Sequence, residues 1–140
     1  MAVISVNAQT ITVSGEWALT ITSADMTGEA GTDLTGQMFE SATNQVNLDV
    51  KSRNNWRVDI ELGDPLGTWP DTFILEAQVT SGSVTGGSVY QEVEPAPAQF
   101  FFSGRKNIKW IYVQYRLSNV SVTDGTGTFS CSIVYTVTDQ

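Results

Sequence analysis

The side chains that could carry acid–base chemistry in this chain are carboxylates, because the sequence has fifteen Asp and Glu residues and no histidine. Asp59 and Glu61 lie two positions apart in an alternating run, so their side chains would share one face of a strand. Glycoside hydrolysis uses such a pair. The same spacing arises on any polar outer face, however, and 140 residues is short for a hydrolase. We therefore expect that the protein is not an enzyme.

Other reaction classes are excluded by composition. Without histidine and with a single cysteine, the chain cannot form a Ser-His-Asp triad, an HExxH zinc site, a cysteine cluster or an intrachain disulfide. No glycine run is followed by the Gly-Lys-Ser/Thr of a phosphate loop. Seven cations in a chain of net charge −8 argue against a nucleic-acid partner. No apolar run is long enough for a membrane helix, so we expect no membrane insertion.

Calcium is the ion that the acidic loops suit best. Asp64 and Asp71 flank one loop, and Asp124 lies in a loop rich in Gly and Thr. Oxygen ligands on flexible loops suit Ca²⁺. Aspartate is also an ordinary turn residue, and no stretch matches the EF-hand spacing. The sequence thus offers Asp64, Asp71 and Asp124 as calcium ligands and indicates no other cofactor.

Aromatic residues suggest a second kind of site, a platform for polysaccharide. In the strand predicted over 107–117, Ile108, Trp110 and Tyr112 alternate with a second apolar set, so both faces are apolar. Such a strand is either covered on both sides or carries an exposed aromatic strip. Trp69, in a proline-flanked loop, would join Trp110 and Tyr112 on this surface. The alternative is that a sandwich core buries most of the tryptophans.

Charge is distributed unevenly along the chain. The first fifty residues contain six acidic residues and no lysine or arginine. Four of the seven cations fall in one late region. An acidic and a basic end on one domain would allow head-to-tail contact between copies, whereas the alternative is that both are ordinary solvated faces. The cations of the proposed basic contact are Arg105, Lys106, Lys109 and Arg116.

The hydrophobic pattern has a period of two almost everywhere, which is typical of half-buried antiparallel strands. Turn signals at short intervals separate the runs, and no window keeps a helical period. We predict a single all-β domain over residues 1–140, an antiparallel β-sandwich of immunoglobulin-like or jelly-roll type with roughly nine or ten strands. Strong alternating runs, one of them continuing through Leu19 and Ile21, place five residues in the core: Trp17, Trp56, Ile60, Leu75 and Ile133.

The N-terminal segment changes phase. Ile4, Val6 and Ala8 occupy even positions, whereas Ile11 and Val13 occupy odd ones. A slip of one residue moves every side chain to the other face of a strand. The segment therefore contains a bulge, or else two strands that belong to different sheets or different molecules. Residues 2–8 are a candidate donor or edge strand.

The whole chain resembles bacterial secreted β-sandwich subunits of pilin or surface-fibre type. It departs from the common fimbrial pattern in lacking paired cysteines. Subunits of such fibres often donate an extended terminal strand to a neighbour's sheet, and the matching segment here is residues 2–8. The segments that carry the resemblance are Glu16–Ile21 (EWALTI), 31–34 (GTDL), Trp56–Ile60 (WRVDI), Gln99–Gly104 (QFFFSG) and Gly127–Thr138 (GTFSCSIVYTVT).

These observations together predict a non-catalytic structural subunit of an extracellular fibre, pilus-like filament or surface layer, with other copies of itself as the principal partner. An acidic, lysine-poor β protein rich in Thr and Ser is typical of secreted surfaces, so we expect an extracellular or cell-surface location. A secreted carbohydrate-binding or adhesive module is the alternative, and a viral or phage structural protein of the same architecture is a further one.

Overall fold

The structure is a computed structural model, which describes residues 9–21, 37–121 and 127–140. Within these ranges the chain forms strands and irregular connections and no helix, so no helix could cross a membrane. The strands are β1 (Thr10–Ser14), β2 (Met38–Glu40), β3 (Val46–Lys51), β4 (Asn55–Gly63), β5 (Ile74–Ser81), β6 (Gln91–Glu92), β7 (Gln99–Arg105), β8 (Ile108–Ser118) and β9 (Ser132–Asp139).

The nine described strands form two packed antiparallel sheets, which confirms the predicted all-β sandwich. The larger sheet has the order β1-β3-β8-β5-β6. β2 pairs with the C-terminal part of β8, and β3 pairs with the N-terminal part on the same side. The smaller sheet has the order β7-β4-β9. Its central strand, β4, pairs with β9 along its whole length, from Trp56 opposite Asp139 to Gly63 opposite Ser132.

The core follows the period of two. Alternate residues of β4 are fully buried, and alternate residues of β3, of β5 and of β8 from Ile111 onward are buried, with Gln114 of β8 buried in addition. The sequence prediction is confirmed for Trp56, Ile60 and Leu75, which are at most 5% exposed. Burial of large side chains from both sheets supplies most of the stabilisation of such a fold.

Two of the predicted core residues are only partly buried. Trp17 and Ile133 pack against the core but retain exposed surface. The prediction of an alternating strand through Trp17 is wrong, because residues 15–21 form an irregular segment with no strand hydrogen bonds. Ile133 lies near the start of β9, where the space between the sheets is open to solvent.

Two connections cross between the sheets at the same end of the sandwich, which we call the crossover end. One joins β3 to β4 and the other joins β7 to β8. They contact each other: Lys106 N donates to Asn54 O at 3.0 Å, and Ser52 N donates to Asn107 Oδ1 at 2.9 Å. The Trp56 indole N–H donates to Lys106 O at 2.8 Å. This bond holds the β7–β8 connection to the core, and the β3–β4 connection is held through it. The opposite end, formed around loop 64–73, is called the loop end.

Candidate functional site

An open apolar groove of about 940 Å³ lies between the two sheets, on the side where β9 forms the edge of the smaller sheet. The irregular segment 15–21 forms one wall, and residues 127–133 form the other. The inner face of the larger sheet forms the floor. The apolar side chains around the groove include Trp17, Leu19, Trp69, Leu117, Phe129 and Ile133.

A pair of tyrosines closes the bottom of the groove. The hydroxyls of Tyr115 in β8 and Tyr135 in β9 are 2.5 Å apart and hydrogen-bonded. Trp17 stacks on the Tyr115 ring at 6.2 Å between centroids. Burial raises the pKa of Tyr115 to about 12, although the bond to Tyr135 opposes the shift. Burial also raises the pKa of Tyr135 well above its usual value, so both phenols are neutral under ordinary conditions.

The groove reaches the loop end through a cluster of aromatic rings. Trp69 meets Phe73 edge to face at 5.2 Å, and Phe73 meets Phe129 in the same way at 5.5 Å. Leu117 and Val120 are buried in this second, smaller core cluster. Edge-to-face rings give this end of the groove a rigid apolar lining.

Cys131 also lines the groove and remains partly exposed. Burial is the main reason that the pKa of its thiol is raised to about 11, and the carboxylate of Asp64 adds to the shift. A thiol with a raised pKa carries little thiolate at neutral pH and is a poor nucleophile. This side chain therefore forms part of the groove wall and is not a reactive centre.

The outer edge of β9 is the second element of the site. β9 pairs with β4 on one side, and no described strand pairs with it on the other. The backbone N–H and C=O groups of that edge can therefore bind an added strand. The predicted assembly residues Ile4, Val6 and Ala8 lie outside the described residues. The described chain begins beside the end of β9, where the Gln9 amide donates to the Asp139 carboxylate.

The three proposed calcium ligands are not seen as one site. Asp64 Oδ1 accepts hydrogen bonds from Thr68 N at 3.1 Å and Trp69 N at 3.3 Å, which is the role of a turn-capping aspartate. Asp71 is exposed in the same loop, and Asp124 lies outside the described residues. No group of three acidic or other metal-binding side chains occurs in the part of the chain that the structure describes.

The three aromatic residues proposed as a polysaccharide surface are not brought together. Trp69 lies in the groove at the loop end, whereas Trp110 lies at the crossover end and is 61% exposed. A bulge in β8 separates Trp110 from the regular alternation, since Ile108 pairs with Val50 and packs against the core. The prediction that Ile108 shares a face with Tyr112 is therefore wrong.

The four cations proposed as a basic contact divide into two groups. Arg116 is engaged on the outer face of the larger sheet, where it forms a bidentate pair with Glu76 at 3.0 Å and stacks on Tyr90. Arg105, Lys106 and Lys109 remain together at the crossover end. The sequence pattern missed Lys51 and Arg53, which the β3–β4 connection brings to the same place.

The carboxylate pair noted in the sequence lies on the outer face of β4. Asp59 is bound by Arg57 at 2.7 Å, and the Arg57 guanidinium also lies over the Phe100 ring at 4.8 Å. Glu61 is partly exposed two residues further on.

No family model matches the chain, and neither does any curated protein or solved structure. The resemblance to pilin-like subunits accordingly stays a prediction.

Proposed function

We propose that this protein is a non-catalytic structural subunit of an extracellular filament, pilus-like fibre or surface layer. Copies polymerise when residues 2–8 of one molecule add as a strand to the outer edge of β9 in the next. The observation that supports this proposal is the combination of an edge of β9 that no described strand pairs with and an open apolar groove beside it. Backbone hydrogen bonds along β9 would provide affinity, and the groove would accept alternate side chains.

The donor segment has the pattern that such a groove requires. Ile4, Val6 and Ala8 alternate with polar or small residues, so one face of an extended strand is apolar. Seven residues in extended form span about 23 Å, which is close to the length of an eight-residue strand such as β9. The phase change before Ile11 follows naturally if residues 2–8 belong to a neighbouring molecule's sheet.

Paired variants test the proposal. Val6→Asp places a charge on the face that would enter the groove, whereas Asn7→Asp adds the same charge on the opposite face. We expect the wild type and Asn7→Asp to form ladders in size exclusion and fibres in negative stain. Val6→Asp and a chain lacking residues 2–8 should remain monomeric, and a peptide of residues 2–8 should bind the truncated chain. Monomeric wild type at high concentration, or fibres from the truncated chain, would refute strand addition.

A carbohydrate-binding or adhesive module is the second candidate. Trp110 favours it, because this large aromatic side chain is 61% exposed and therefore available to stack on a sugar ring. Retention of the wild type on a polysaccharide column, with loss of retention in Trp110→Asn, would support this function.

A further inference from the structure

We infer that the two ends of the sandwich carry opposite charge and bind each other head to tail in the assembly, the crossover end of one copy against the loop end of the next. This inference rests on the proposed function, since it specifies how the subunits meet. Its basis is the placement of charge in the folded chain, which differs from the placement of charge along the sequence.

The crossover end is basic. The connections β3–β4 and β7–β8 bring together five of the seven cations, and all five are exposed. The two ion pairs within the described residues involve Arg57 and Arg116, so neither uses these five. Asp49 and Asp139 are carboxylates that lie at the same end. The five cations are Lys51, Arg53, Arg105, Lys106 and Lys109.

The loop end is acidic. Asp64 and Asp71 lie in the loop that follows β4, and Glu94 lies beside it, because Leu62 N donates to Glu94 O at 2.8 Å. Glu92 is two residues away in β6, opposite Glu76. All four side chains are exposed, and none forms an ion pair with a described residue. The one cation near this end, Arg116, is bound to Glu76.

The course of the chain makes these two ends neighbours under strand addition. β1 begins at the crossover end, where Thr10 pairs with Lys51, so the chain enters β1 from that end. Because the donor segment directly precedes β1, the donor's crossover end must lie close to the point where the donated strand leaves the groove. If the strand leaves at the loop end, basic and acidic ends meet. If it leaves at the crossover end, two basic ends meet and repel.

Charge therefore also selects the direction of the donated strand. β9 runs from the loop end at Ser132 to the crossover end at Asp139. A donor whose last residue, Ala8, leaves at the loop end runs the opposite way. The added strand is accordingly antiparallel to β9, like the strand pairs already present in the smaller sheet.

Trp110 supplies the apolar part of the basic end. Its backbone has a φ of 60°, and its N–H donates to Asp49 Oδ1 at 3.0 Å. A bulky residue in the left-handed region is strained, and a side chain that is 61% exposed offsets little of that strain by burial. Trp110 thus does not serve the stability of the isolated domain. Contact with a second copy would bury it.

Charge reversal at each end tests the inference. Arg53→Glu/Lys109→Glu makes the crossover end acidic, and Asp71→Lys/Glu94→Lys makes the loop end basic. At about 50 mM salt we expect assembly by either variant to be at least about tenfold slower than by the wild type, since steering by charge changes association rates by about 10–1,000-fold. The variant reversed at both ends keeps the wild-type net charge and should assemble at nearly the wild-type rate.

Salt provides the second arm, because at about 1 M ionic strength the screening length falls to about 3 Å and the differences should disappear. Equal assembly of all four proteins at low salt would overturn the head-to-tail inference and leave strand addition standing. Failure of the wild type to assemble at any salt would overturn the proposed function, and the inference with it. Normal assembly by Arg53→Glu/Lys109→Glu with loss of retention on an anionic polysaccharide would assign the basic end to a glycan instead.

Discussion

The hydroxyls of Tyr115 and Tyr135 meet 2.5 Å apart inside the sandwich, one from the central strand of the larger sheet and one from the edge strand of the smaller sheet. Both side chains are at most 8% exposed. Their bond is a polar link between the two sheets, and it fixes β9 against the larger sheet beneath the groove. The shape of the groove floor depends on this contact.

Each hydroxyl should cost more stability when it is removed alone than when both are removed together. Tyr115→Phe or Tyr135→Phe leaves the other hydroxyl buried without a partner, which we expect to lower the free energy of unfolding by about 1–3 kcal/mol. The double Phe variant should lose clearly less than the sum of the single losses. Urea unfolding of the four proteins measures the coupling, and strictly additive losses would show that the bond contributes nothing.

Alkaline pH should destabilise the fold through the same tyrosines. Burial raises the pKa of Tyr115 to about 12, whereas an unfolded tyrosine titrates near 10. The folded chain holds the phenol proton more tightly, so this stabilisation is complete below about pH 10 and is lost as the pH rises through about 12. Unfolding measured from pH 9 to 12 should show this fall. The double Phe variant should show a smaller one, and equal slopes would contradict the assignment.

The thiol of Cys131 should react slowly in the folded protein. Its pKa of about 11 lies about two units above that of an exposed thiol, so its thiolate is about a hundredfold scarcer at pH 8. Alkylation should therefore be slower by about that factor than in urea, where the chain is unfolded. A rate equal to that of the unfolded chain would show that the groove wall does not shield the thiol.

Cys131 also reports on occupancy of the groove, since it is part of the lining. Polymers or complexes with the peptide of residues 2–8 should be alkylated more slowly than the truncated monomer. Unchanged reactivity in fibres would place the subunit contact elsewhere.

Substitution should affect stability very differently at the two tryptophans of the crossover end. Trp56 is fully buried, and Trp56→Ala should lower the free energy of unfolding by about 3–5 kcal/mol, the usual cost of emptying a large core site. Trp110→Asn removes an equally large side chain that is mostly exposed, and asparagine tolerates the left-handed backbone. We expect little loss from this control, or a small gain. Similar losses in both would refute the burial pattern.

Much of the fold was accessible from the sequence because burial in a strand is a local property. The alternation of Trp56, Val58 and Ile60 with charged residues specifies which face of β4 is inside, whatever strand lies beside it. The all-β class and the burial of Leu75 follow in the same way. Local pattern failed at Trp17, where alternating residues occur in a segment that makes no strand pairing.

The candidate site depended on tertiary structure. Lys51 and Lys106 are 55 positions apart, and no local pattern relates them. They share one end because two connections cross between the sheets there and bond to each other. The same holds for the bulge that exposes Trp110, and for the groove, which exists because the smaller sheet stops at β9 among the described strands. Periodicity determines the face on which a side chain lies, whereas pairing between distant strands determines its neighbours.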